Sequence, residues 1–110
     1  MNGVPELLLL KALDRQEMYG YELVQAIRTG TDDAIRLGEG VVYPVLHALE
    51  KAGALKSRRK DINGRTRVYY SVTAKGRKRL DGLTNDWRRI AAAVSGLINE
   101  ENHAAPFRSA

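Results

Sequence analysis

The sequence predicts a mainly α fold of the α+β kind: three helices, a two-stranded β-hairpin, then one long closing helix. Three observations carry this. Apolar residues recur at helical spacing through the first fifty positions. An Asn63-Gly64 pair separates two strand-like runs. Leu80, Leu83, Trp87, Ile90, Val94 and Leu97 follow one another at intervals of 3, 4, 3, 4 and 3.

The first helix is expected over residues 4–15, opened by Pro5, whose missing N–H costs nothing in a first turn. Leu7, Leu8, Leu9 and Leu10 are consecutive and are followed by Ala12 and Leu13, so apolar groups point around most of its circumference and need cover on more than one side. "MYGYELVQAI" predicts a second helix, with Leu23, Val24 and Ile27 on one face and Gly20 allowing close approach near its start. "TGTDDAIRLGEG" is a polar connection rich in turn formers.

In "GEGVVYPVLHALEKAGAL" the wheel gathers Val42, Val45, Leu46 and Leu49 on one arc and Gly40, Tyr43, Pro44, His47 and Lys51 on the opposite one. The first arc faces a core. A proline deep in a helix removes a hydrogen bond and clashes with the preceding turn, so this helix is expected to start near Val41, or with a distorted turn, and to expose unused amides that favour phosphate. Leu55 to Lys60 and Arg65 to Val72 form the hairpin around "DING", where both Asn63 and Gly64 tolerate the positive φ of a tight turn. Alternation places Val68, Tyr70 and Val72 inward and Arg67, Tyr69 and Ser71 outward. Thr73 caps a last helix from about Ala74 to Asn99, and "EENHAAPFRSA" has no periodicity and is expected to be a disordered tail.

The charge is polarised. Residues 51–89 carry thirteen of the 18 Lys and Arg against three acidic residues, a net +10, within a chain whose total is +5. A basic segment of this kind is expected to meet a polyanion. Without cysteine there is no disulfide framework or thiolate metal site, which fits a reducing, cytoplasmic compartment. The run "VPELLLLKAL" is too short to span a membrane and lacks the flanks of a secretory signal. An exposed helix start carrying Tyr43, followed by a hairpin with Lys56, Arg58, Arg59, Lys60, Arg65 and Arg67, describes a winged helix-turn-helix: one helix for the major groove, a basic ribbon for the phosphate backbone.

The stretches "MYGYELVQAI", "GVVYPVLHALEKAGAL" and "GRTRVYYSVTAKGRKRL", in this order, resemble the PadR-type transcriptional regulators, in their short class with a single C-terminal helix. The resemblance covers residues 4 to about 99. It implies residues 1–73 as a DNA-binding domain, 74–99 as a dimerisation helix and 100–110 as a tail. It further implies a homodimer on an inverted-repeat operator that represses transcription, with no cofactor and release by a small aromatic effector. The residues assigned to DNA are Gly40, Val41, Tyr43, Pro44, His47, Lys51, Arg58, Arg59, Lys60, Arg65, Arg67 and Tyr69. Those assigned to dimerisation are Leu8, Leu80, Leu83, Trp87, Ile90, Val94 and Leu97, with Trp87 also in an effector site. Two positions depart from the family pattern: Gly38 stands where a capping residue is common, and Val41 where a small hydroxyl residue is. Val41 offers only apolar contact, for example to a thymine methyl.

Other readings fare worse. An enzyme would have only His47 and His103 as histidines, and Asp32 and Asp33 sit in a turn-forming loop. An RNA-binding module would need more exposed aromatics than Tyr69. A basic protein-interaction module would explain the heptad seam and leave the +10 segment unused.

Overall fold

The computed structural model describes residues 3–100. Four helices and three strands follow in the order α1 (Val4–Leu13), β1 (Met18–Tyr19), α2 (Gly20–Gly30), α3 (Glu39–Lys51), β2 (Leu55–Ile62), β3 (Arg65–Val72) and α4 (Ala74–Ile98). The strands form one antiparallel sheet in the order β1-β3-β2.

Helix periodicity predicts the core correctly. Leu9 and Leu10 of α1, Leu23 of α2, and Val42, Leu46 and Leu49 of α3 are buried and interlock, joined by Leu55, Tyr70 and Val72 of the sheet and Leu80 of α4. Burying one such side chain is worth about 1.5–3 kcal/mol, whereas an exposed ion pair gives about 0–1 kcal/mol. The root of α4 is therefore held by Leu80, and its pairs with α1 and the residue that follows it, Arg79 to Glu6 at 2.5 Å and Arg77 to Asp14 at 4.0 Å, orient it.

Several boundaries differ from the sequence expectation. α1 stops at Leu13, two residues early, because the chain then turns to bring Met18 and Tyr19 into an extended pair with Tyr70 and Tyr69. That two-residue strand is too short to show a period. The Tyr19 N–H then donates to Glu22 Oε1 at 3.2 Å, closing the first turn of α2. α3 starts at Glu39, so Pro44 lies inside the helix. The distortion is absorbed at the start: the Gly38 carbonyl accepts from both Val41 and Val42 at 3.0 Å, and Pro44 is exposed. The Gly40 carbonyl that Pro44 cannot serve is thus on the solvent side.

Gly53, at φ +82°, ends α3 in the left-handed conformation, with Ala54 N–H returning to the Leu49 carbonyl at 2.9 Å. Asn63 and Gly64 both have positive φ, 51° and 78°, and close the hairpin as the dipeptide predicts. β2 runs two residues beyond Lys60, to Ile62. Thr73 caps α4, its Oγ1 accepting from the Gly76 N–H at 3.1 Å and donating to the Gly53 carbonyl at 2.6 Å. This ties the foot of the hairpin to the end of α3. Of the expected tail, residues 101–110 lie outside the described residues.

Candidate nucleic-acid interface

The outer arc of α3 is open. Gly40, Val41, Tyr43, Pro44, His47 and Lys51 are all exposed while Val42, Leu46 and Leu49 on the reverse face are buried, so the helix is held from behind and presents one edge. Its N-terminus carries no side-chain cap, because Gly38 occupies that position. Tyr43 is not free-standing: its ring packs across Gly20 at the start of α2 and tilts toward His47, centroids 6.3 Å apart. Behind it lies the buried Tyr70, whose hydroxyl is pushed above the ordinary tyrosine range by burial, and further by the Glu50 carboxylate. Glu50 also accepts from Ser57 Oγ at 2.6 Å, joining α3 to the wing.

The wing has two faces set by its register. Arg58 opposes Tyr69 and Lys60 opposes Arg67, so these four share a face with Tyr19 of β1. Arg59 opposes Val68 on the other face. On the first face the groups are already engaged. Arg67 lies over the Tyr19 ring at 4.5 Å and Lys60 over the Tyr69 ring at 4.4 Å. Glu17 takes both Arg58, through Nε at 2.8 Å and Nη2 at 2.6 Å, and Lys60. Hydrogen bonds from Arg58 first, then Lys60, bring the Glu17 carboxyl down to about 2. Arg59, Arg65 and Lys56 have no carboxylate partner among the described residues.

Three assignments change. Tyr69 is 7% exposed, covered by the Tyr19 ring at 5.4 Å in an edge-on pair and by Lys60, so it is not available as a nucleic-acid contact. Its neighbour Val68 is the exposed one, since Val68 lies beyond the short β1 and has no element against it. Leu80 belongs to the protomer's own core, and Leu83 packs against that core. The seam is left uncovered only farther on: Trp87, Val94, Leu97 and Ile98 are exposed, with Leu8 and Ile90 half-buried. Between α1 and α4 a cleft of about 140 Å³ is lined by Val4, Leu7, Leu83, Trp87 and Ile90.

Sequence reasoning missed Glu17, Tyr19 and Tyr21. The first two act through a strand of two residues. Tyr21, exposed at the start of α2, lines a shallow groove with Gly38 and Glu39 at the start of α3. Among the described residues no helix is long and apolar enough to cross a membrane, and no group of metal-ligating side chains occurs.

Three helices carrying an open-edged third helix, a basic antiparallel wing and a long final helix define a winged helix-turn-helix protein. The chain belongs to the transcriptional regulator PadR-like family, whose model matches residues 9–82. It is 32% identical over 89 residues to transcriptional regulator Rv3488 of Mycobacterium tuberculosis, covering 81% of this chain and 78% of that one. A transcriptional regulator of Clostridium thermocellum superposes with a TM-score of 0.80 at 27% identity, over 88% of this chain and 94% of that one. A PadR family transcription regulator of Clostridium difficile gives 0.74 at 25% identity, over 88% and 100%. The protein is thus a transcriptional regulator and not an enzyme.

Proposed function

We propose that the protein is a homodimeric repressor that seats α3 in the major groove of an inverted-repeat operator and lays its wing along the phosphate backbone. The observation that carries this is the open edge of α3, where Gly40, Val41, Tyr43, His47 and Lys51 are exposed on a helix whose other face is locked in the core. A rigid helix with one free edge is what base reading requires, and Arg59 and Arg65 on the adjoining wing supply backbone contacts. The uncovered α4 seam supports the dimer. A two-fold arrangement then spaces the two recognition helices by about 34 Å, one turn of duplex.

The release mechanism follows from the same seam. Trp87, 42% exposed, borders the cleft between α1 and α4, where a flat aromatic molecule can stack on the indole. Binding there changes the angle between subunits and so the helix spacing that DNA demands. Selection of bound fragments from genomic DNA, followed by footprinting, tests the proposal. Protection of two equivalent half-sites one turn apart is expected; uniform or absent protection overturns it.

A further inference from the structure

We infer that Glu17 is an internal stand-in for a DNA phosphate, one that blunts the wing's grip on duplex of the wrong sequence; the inference rests on the wing reading proposed above. The carboxylate receives the Arg58 guanidinium as a fork, Nε to Oε1 at 2.8 Å and Nη2 to Oε2 at 2.6 Å, and Lys60 Nζ closes on Oε2. Two parallel N–H···O bonds are also how a guanidinium takes a phosphate. Arg58 and Lys60 are therefore in a phosphate-binding arrangement whose anion is supplied by the protein itself.

The clamp is built rather than accidental. Glu17 immediately precedes β1, and the pairing of Met18 with Tyr70 and Tyr19 with Tyr69 fixes its backbone on the sheet. Only about a quarter of its side chain is exposed, against 64% for Arg58. The partners are 41 residues apart in sequence, so the contact exists only in the folded sheet. The cations of the wing fall into two sets in consequence. Arg58 and Lys60 share the Glu17 carboxylate, whereas Arg59, between them on the opposite face, and Arg65, beside the turn, have no carboxylate against them among the described residues.

Non-specific binding draws on phosphate contacts and the counterions they release. A phosphate reaching Arg58 or Lys60 must first displace Glu17, exchanging one anion for another and gaining little. Arg59 and Arg65 engage without such an exchange. Glu17 thereby withdraws up to two contacts from random duplex while leaving the base contacts of α3 untouched, which raises the ratio of specific to non-specific affinity.

The test uses the full chain with Glu17→Gln, titrated with a random-sequence duplex and with the selected operator duplex over a range of salt. Random duplex should bind several-fold more tightly, its salt slope should steepen by about one to two, and the operator-to-random ratio should fall. Unchanged or weaker binding to random duplex by a folded Glu17→Gln protein overturns the inference and leaves Glu17 as a brace between β1 and β2. A second comparison needs no change at Glu17: Arg58→Ala should flatten the random-duplex slope less than Arg65→Ala does, and an equal flattening overturns the inference. If Arg65→Ala alters no slope at all, the wing reading itself fails, and the role of Glu17 fails with it. If Arg65→Ala flattens the slope but Glu17→Gln does not steepen it, only the Glu17 inference is lost.

Discussion

The ring of Tyr43 lies so close over Gly20 that a methyl group on Gly20 would meet the tyrosine Cζ at 2.7 Å. The orientation of the exposed edge of α3 is thus set partly by the absence of a side chain on α2. Because the Tyr43 ring is more than a third exposed, it can swing aside, and alanine also favours the helix by up to about 1 kcal/mol. Gly20→Ala should therefore shift the melting temperature little while reducing operator discrimination as Tyr43→Ala does. Competition binding against random duplex, alongside thermal denaturation, checks both halves.

The dimer is best tested where the protomer does not need the residue for itself. Leu83 touches the core, so a charge there confounds folding with assembly. Val94, 48% exposed in the protomer, does not. Val94→Asp should lower the sedimentation mass from about twice 12.2 kDa to the monomer value without erasing the helical circular dichroism, since it buries an unpaired charge only in the dimer. A dimer that survives this substitution at micromolar concentration refutes the seam.

Arg65→Ala should weaken operator and random duplex alike and reduce the salt slope by about one, as loss of a single phosphate contact does. Arg67→Ala should behave differently, since its guanidinium lies over Tyr19: a lower melting temperature is expected along with any loss of affinity. Binding isotherms at four or more salt concentrations separate the two.

Trp87 is the chain's single tryptophan and reports on its own cleft. Planar phenolic or cationic compounds should quench its fluorescence saturably and lower operator affinity in the same concentration range. Val4→Phe, which fills the cleft from the α1 side without adding a second indole, should abolish the quenching. A broad panel without quenching assigns Trp87 to packing alone.

The acid response of Glu17 has a definite sign. Its folded value, about 2, lies below the ordinary 4.5, so its ion pairs stabilise the fold above pH 4.5 and that contribution is lost as pH falls toward 2. The difference in melting temperature between wild type and Glu17→Gln should be constant from pH 5 to 8 and shrink below 4.5. A difference that instead changes between pH 6 and 8 points to another group.

The sequence made legible whatever rests on period or on a turn dipeptide. Val42, Leu46 and Leu49 were expected inside and are, and Asn63-Gly64 makes the turn it promises. Tyr69 was misread because alternation assumes one buried face, whereas the two-residue β1 puts Tyr19 over the other face at that one rung. Leu80 continues the seam in sequence but falls where α4 is still rooted in the core, and spacing alone cannot mark where own-chain cover ends. Glu17 sits in "RQEM" with no motif, and its partners are far away along the chain.

Beyond Ala91 every residue of α4 up to Asn99 is exposed, so these last turns draw no support from the chain that makes them. An isolated helical end of this length is marginal in water. In the proposed homodimer the partner covers this end, which ties the integrity of α4 to protomer concentration. Dilution of such a dimer should open these turns to protease before the core is touched, so a regulator of that design would set a floor on its own concentration.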